Sequence, residues 1–174
     1  SYAASGDHGK IHPFLNLQVQ LWIRELSGIV RVVGPEPLFK WRDEVDIKGG
    51  EKALPLYYCR ECGAAGWLAV IRPQNRRVEN NIDDAYRKYF AHDTDLYFMT
   101  ENVDYNRCTE EYHPKEELIR NLDPVTLALN NSKVDDSFPV VAYRKVDNGI
   151  TQHICPVCNT RNSINIIGQR VATL

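Results

Sequence analysis

No apolar run in this chain approaches the roughly 20 residues that cross a bilayer. The opening "SYAASGDHGK" has no apolar core of the kind a secretory signal carries. Excess positive charge is missing too. The 174 residues hold 21 Lys and Arg against 23 Asp and Glu, a net charge of −2, so any nucleic-acid contact must be local rather than a property of the whole surface. No Gly-x-x-x-x-Gly-Lys-Ser/Thr phosphate loop occurs, and "RDEV" at 42–45 stands in no ATPase context. No carboxylate pair and no Ser/His/Asp set stands out. The cysteine count is five, an odd number, which argues against a disulfide framework and for a reducing, cytoplasmic setting with no membrane involvement.

The cysteines themselves carry chemistry. Cys59 and Cys62 lie in "LYYCRECGAAGW", and Cys155 and Cys158 repeat the Cys-x-x-Cys spacing in "HICPVCNTRN", with 92 residues between Cys62 and Cys155. Two residues between cysteines let one tight turn aim both sulfurs at one ion, with backbone N–H groups free to hydrogen-bond the thiolates. Gly63 and Asn159 follow the two pairs, and both tolerate the positive φ that such turns need. Pro156 pre-sets φ in the second turn. Two such pairs suit one tetrahedral zinc ion on four thiolates, a saturated and therefore structural site. A thioredoxin-type redox pair, or a site with another ligand or metal, are the alternatives. The redox reading wants a Cys-x-x-Cys that opens a helix after a strand, whereas both pairs here sit between β-prone runs. His153, two residues before Cys155, is on the wrong side of the turn to share the ion. Cys108 has no base and orienting partner arranged around it, which leaves no nucleophile to make this chain an enzyme.

Periodicity predicts an α+β fold. Leu15, Val19, Trp22, Leu26, Ile29 and Val33 recur at steps of three and four, predicting an amphipathic helix over 11–34 that begins near Pro13 and stops at Gly34-Pro35. It follows a disordered tail over 1–10. Residues 35–167 read as a zinc-ribbon-like β core, in which two Cys-x-x-Cys knuckle hairpins share one ion. Expected strands are 39–41, "ALPLYY", "GWLAVIR", "DLYFMT", 137–146 and "SINIIG". A largely helical insertion of about 65 residues separates the knuckles. It contains a helix at 81–91, with Ile82, Ala85, Tyr86, Tyr89 and Phe90 on its apolar face, and a two-turn helix in "HPKEELIRNLDP".

Three stretches in order carry a resemblance: "HPFLNLQVQLWIRELSGIVR", "YYCRECGAAGW", and "CPVCNT" leading into "IIGQRVATL". They are similar to the zinc-binding insertion of large bacterial superfamily-two DEAD/DEAH-type helicases. Gln169 and Val171 depart from the Ser and Ala usual in the exit stretch. The resemblance implies a non-catalytic fragment between two RecA-like motor lobes, with residues 168–174 starting the helix into the second lobe. Its partners would be those lobes and DNA, and ATP and magnesium would belong to the lobes alone. DNA contact would fall to the cations Arg72, Arg76, Arg77, Arg87 and Lys88, with Trp67 and Tyr58 stacking on bases; the alternatives are a solvated face for the charge run, which Glu79, Asp83 and Asp84 dilute, and packing on the ribbon core for the two aromatics. A stand-alone zinc-ribbon module for protein interaction is the alternative.

Overall fold

The computed structural model describes residues 28–101 and 117–167. Among these residues, eleven strands and one α-helix make a mostly antiparallel α+β domain. In chain order the strands are β1 Ile29–Val32, β2 Phe39–Trp41, β3 Ala53–Cys59, β4 Ala65–Val70, β5 Leu96–Glu101, β6 Glu117–Leu122, β7 Leu129–Asn130, β8 Phe138–Tyr143, β9 Lys145–Asp147, β10 Ile150–Gln152 and β11 Ile164–Ile166. The helix α1, Ile82–Phe90, falls between β4 and β5. The main sheet runs β2-β1-β3-β4-β5-β8-β6-β7, and β9 pairs with β10 in a separate hairpin. No helix among the described residues is long and apolar enough to cross a membrane.

β3 organises the sheet. Its first half pairs with β1, Ala53 opposite Val32 and Pro55 opposite Val30. Its second half pairs with β11, Tyr57 opposite Ile166 and Cys59 opposite Ile164. Pro55 has no N–H to give to a ladder, and it stands where one partner gives way to the other. β4 takes the opposite edge, with Leu56 facing Trp67.

Both faces of the central strands are buried, which explains why "GWLAVI" is continuously apolar rather than alternating. Trp67 and Ala69 of β4 and Tyr97 and Met99 of β5 pack on one face with Leu54, Leu122, Leu127, Phe138 and Val140. Leu68, Val70, Leu96 and Phe98 pack on the other with Ala85, Tyr86 and Tyr89 of α1 and with Cys59, Cys155 and Ile164. The helix follows its sequence signals. Asn81 caps it by accepting from the Asp84 N–H at 3.0 Å, acidic residues fill its first turn and Arg87 and Lys88 its last.

Four expectations are corrected. The predicted helix over 11–34 does not reach its C-terminal end, because Ile29–Val32 is the strand β1, paired on both sides with β2 and β3. Gly28 at φ +66° breaks any approaching helix, and the β-branched Ile29, Val30, Val32 and Val33 lose little on a pleated surface. These residues therefore belong to the sheet rather than to a lead-in segment. "HPKEELIRNLDP" ends as β6 instead of a helix. Leu118, Ile119 and Leu122 fit either period, and six paired positions with β8 decide for the strand. The region between the two cysteine pairs is accordingly rich in strands, with α1 its one α-helix among the described residues, instead of largely helical. The single strand expected over 137–146 is also broken at Arg144 into β8 and β9. The tail at 1–10, the rest of the predicted N-terminal helix, Cys108 and the exit stretch 168–174 lie outside the described residues.

Gly66 marks a close approach within the sheet. A Cβ there would collide with the Met99 carbonyl oxygen and lie 2.8 Å from the Tyr57 ring. Gly66→Ala is expected to cost about 1–3 kcal/mol through overpacking. Gly34→Ala, with nothing within 4 Å, should change stability by less than about 0.5 kcal/mol. Urea midpoints at constant slope measure both, and equal midpoints for the two variants would contradict the packing described.

Candidate metal centre

Each cysteine pair sits in the same backbone turn. In the first, the Gly63 N–H donates to the Cys59 carbonyl at 3.0 Å, and the Cys59 N–H donates to the Ala64 carbonyl at 2.8 Å. In the second, the Asn159 N–H donates to the Cys155 carbonyl at 2.9 Å, and the Cys155 N–H donates to the Thr160 carbonyl at 3.1 Å. The residue after each second cysteine takes the expected left-handed conformation, Gly63 at φ +74° and Asn159 at φ +58°. The flanks of the two turns differ. β3 and β4 close the first as a hairpin. The second is closed only by the Ile154–Arg161 bridge, since β10 leaves to pair with β9 and β11 pairs with β3.

The pairing of β11 with β3 lays one turn against the other. The sulfurs of Cys59, Cys62, Cys155 and Cys158 all lie within 4.8 Å of one another and could hold a metal ion. Two contacts cross between the turns: Cys59 Sγ to Cys158 Sγ at 3.6 Å and Cys62 Sγ to Cys155 Sγ at 3.7 Å. Cys59 and Cys155 are buried, Cys158 is half-buried and Cys62 is exposed. The cluster therefore has an inner and an outer side, and each close contact joins one sulfur of each kind.

The electrostatics ask for a cation. Burial opposes ionisation of Cys59, but the Ser163 hydroxyl and the backbone N–H groups of Cys62 and Glu61 outweigh it and bring the thiol down to about 6. Partial burial, with Cys158 and Cys59 nearby, pushes Cys62 up to about 11. Burial pushes Cys155 higher still, against N–H bonds from Cys158 and Val157. Four sulfurs this close cannot all ionise without a positive charge among them, and a divalent ion supplies it.

His153 is no part of this cluster. Its ring stacks at 4.1 Å on both Tyr89 and His92, and its Nε2 meets the Tyr89 carbonyl at 3.0 Å. Burial, and secondarily His92, hold its pKa down to about 4, so it packs as a neutral aromatic ring. Tyr86 and Tyr89 donate hydroxyl hydrogen bonds to the carbonyls of Ile167 and Ile164, each at 3.2 Å, which moors α1 to the segment following the second turn. Neither tyrosine stood out in the sequence as more than core.

The proposed nucleic-acid residues are not brought together as a surface. Trp67 is fully buried, contrary to a stacking role. The Arg31 guanidinium lies 3.9 Å over its ring, and Phe138 packs beside it. Lys88 is folded onto Asp93 at 3.0 Å and Asp95 at 3.4 Å, with 12% of its side chain exposed. Arg87 pairs with Asp84, and Arg72 lies 3.6 Å from Glu79. Arg76 and Arg77 are exposed, with no ion pair to any described residue.

The turn geometry sets an expectation for substitutions. Nothing crowds a Cβ at Gly63, so Gly63→Ala tests backbone strain alone and should cost about 1–2 kcal/mol. Asn159→Gly should fall within about 0.5 kcal/mol of the parent, because both residues accept positive φ. Chemical unfolding measures both, and an unaffected Gly63→Ala would show that the first turn does not hold its conformation.

Searches of curated proteins and of solved structures give no significant match to the chain. The family model of the YjiV N-terminal domain matches residues 41–171, a stretch that includes both cysteine turns and the strands that bring them together. The chain therefore belongs to the YjiV N-terminal domain family.

Proposed function

We propose that this chain is a non-catalytic zinc-binding domain, in which one zinc ion on Cys59, Cys62, Cys155 and Cys158 staples two turns far apart in sequence. The observation that carries this is the sulfur spacing. Four thiolates about 2.3 Å from a tetrahedral zinc ion stand about 3.8 Å apart, close to the cross-turn distances of 3.6 and 3.7 Å. All-sulfur ligation favours zinc over magnesium or calcium, which take oxygen. Four protein ligands leave no open position for water, so the ion serves the fold as a zinc-ribbon-like staple. Cys155→Ser is expected to lower zinc from one ion per chain to near none by elemental analysis. Chelation of the parent protein should abolish cooperative thermal unfolding, since structural zinc is worth about 10–16 kcal/mol in small peptides. Full occupancy in the variant, or an unchanged melting curve after verified zinc removal, overturns the assignment.

The resemblance to the helicase insertion supports placing this domain between the motor lobes of an ATP-dependent DEAD/DEAH-type helicase, where it would brace the lobes. A lead-in helix in that arrangement must end before Gly28, where the sheet begins. The complete reading frame tests the placement. ATPase motifs on both sides support it, and a frame without them leaves a module for protein interaction.

Within that reading, DNA contact rests on Arg76 and Arg77. The domain alone should hydrolyse no ATP and bind DNA weakly. The binding should fall with salt at a log–log slope of about −0.9 per duplex phosphate neutralised. Arg76→Ala with Arg77→Ala should flatten that slope by up to about two units, equally for all sequences. Titrations across a salt series read this directly. Tight, salt-insensitive binding would contradict the electrostatic account.

A further inference from the structure

We infer that the four-cysteine centre is a peroxide-sensitive thiol switch whose oxidation joins the two turns by the disulfides Cys62–Cys155 and Cys59–Cys158. This rests on the zinc reading above and deepens it to regulation of the same site.

The argument begins from the inner and outer sides of the cluster. Cys62 is exposed and Cys158 half-buried, so small electrophiles reach these two sulfurs first. The buried Cys155 sulfur accepts from the Val157 N–H at 3.4 Å, and the close polar neighbour of Cys158 is the Thr160 hydroxyl, with Oγ1 at 3.3 Å. The sulfur in contact with each outer cysteine belongs to the other turn and is buried: Cys155 at 3.7 Å from Cys62, and Cys59 at 3.6 Å from Cys158.

The chemistry balances with hydrogen peroxide as the oxidant. With the ion bound Cys62 would be held as a thiolate, and this thiolate attacks one peroxide oxygen. An S–O bond forms, the O–O bond breaks, and the departing hydroxide takes a proton from solvent to become water. The Cys155 thiolate then attacks the sulfenic sulfur. An S–S bond forms, the S–O bond breaks, and the second hydroxide also leaves as water. Two thiolates are oxidised by two electrons in total, and one peroxide is reduced to two waters. The same sequence at Cys158, resolved by Cys59, uses a second peroxide. With its thiolates consumed the centre no longer holds the ion. The cross-turn direction of the bonds keeps β11 held against β3 after the metal has gone. Bonds within each Cys-x-x-Cys would release one turn from the other.

The sequence provides its own assay. Arg60 lies between Cys59 and Cys62, so trypsin separates these two cysteines into peptides 53–60 and 61–76, while Cys155 and Cys158 share peptide 146–161. Zinc is first counted in the untreated protein. Hydrogen peroxide is then added, released zinc is followed with a chromogenic chelator, and peptides are mapped without reduction. The expected result is loss of all bound zinc, with 61–76 and 53–60 both linked to 146–161, and fragmentation assigning Cys62 to Cys155 and Cys59 to Cys158. Dithiothreitol with added zinc should restore the starting stoichiometry. Retained zinc, a direct link between 53–60 and 61–76, or oxidation only to sulfinic and sulfonic acids overturns the inference. Protein that carries no zinc at the outset yet forms the cross-turn links sinks the zinc reading and supports the thiol pairing alone.

Discussion

Four cysteine sulfurs, two from each of two turns 92 residues apart, must arrive at one place, and much of the fold answers to that requirement. The first turn is fixed locally, because β3 and β4 pair as a hairpin around it. The second has no comparable hairpin. It is placed by what surrounds it: β11 lying along the far half of β3, the tyrosines of α1 donating to the backbone of Ile164 and Ile167, and His153 wedged between Tyr89 and His92. Local pairing builds one half of the centre and tertiary packing delivers the other. Closing so long a loop carries an entropic cost that grows slowly with length, so a cross-link at its ends gains where local structure gives least.

That division explains the role of β3. One edge serves two different strands in succession, and Pro55 stands at the change of partner. β1 anchors the first half and β11 the second, while Cys59 at the strand's end enters the cluster. The opposite face of the sheet closes by another route. Val78 donates to the Leu127 carbonyl at 2.9 Å and Leu129 donates to the Arg76 carbonyl at 2.8 Å, tying the connection after β4 to the β6–β7 turn. Among the described residues, Arg31 is the one charged residue in the buried set. It is spread over Trp67, donates to the Ala65 carbonyl at 3.3 Å and contacts Glu101, so its charge is matched where it is desolvated.

The candidate centre was legible in the sequence because its signals are local. Spacing, glycine or asparagine after the second cysteine, and β-prone flanks are all read within a dozen residues, and they recur as matching turns with positive φ at Gly63 and Asn159. α1 was legible for the same reason, through its apolar stripe. The misread segments are those whose side chains satisfy two periods at once. "GIVRVV" continues a helical stripe through Ile29 and Val33 and also fits a strand. "ELIRNL" fits both as well. For these, the deciding term is the partner strand, β3 for one and β8 for the other, and a partner far away in sequence is invisible to a local reading. The β9–β10 hairpin carried a usable signal in Asn148-Gly149, both at positive φ, where the I′ turn that favours this pair would sit. Core packing of Trp67 was legible from the apolar run around it, whereas the cover that Arg31 of β1 lays over its ring was not.

The position of the remaining cations separates the two activities considered for this domain. β4 begins just after the first cysteine turn and ends just before Arg72, and its six residues at about 3.4 Å each span about 20 Å. Arg76 and Arg77 therefore lie toward the end of β4 remote from the sulfurs, in the connection tied to the β6–β7 turn. At 0.15 M ionic strength the screening length is about 8 Å, well short of that span. Under the proposed zinc reading, an ion among the cysteines would act on those arginines through the packing of the domain rather than through its field, and its loss would weaken the proposed contact at Arg76 and Arg77 only as far as it loosens that packing. Two routes join the ends: the strands β3 and β4, buried on both faces, and α1, whose tyrosines donate to the carbonyls of Ile164 and Ile167.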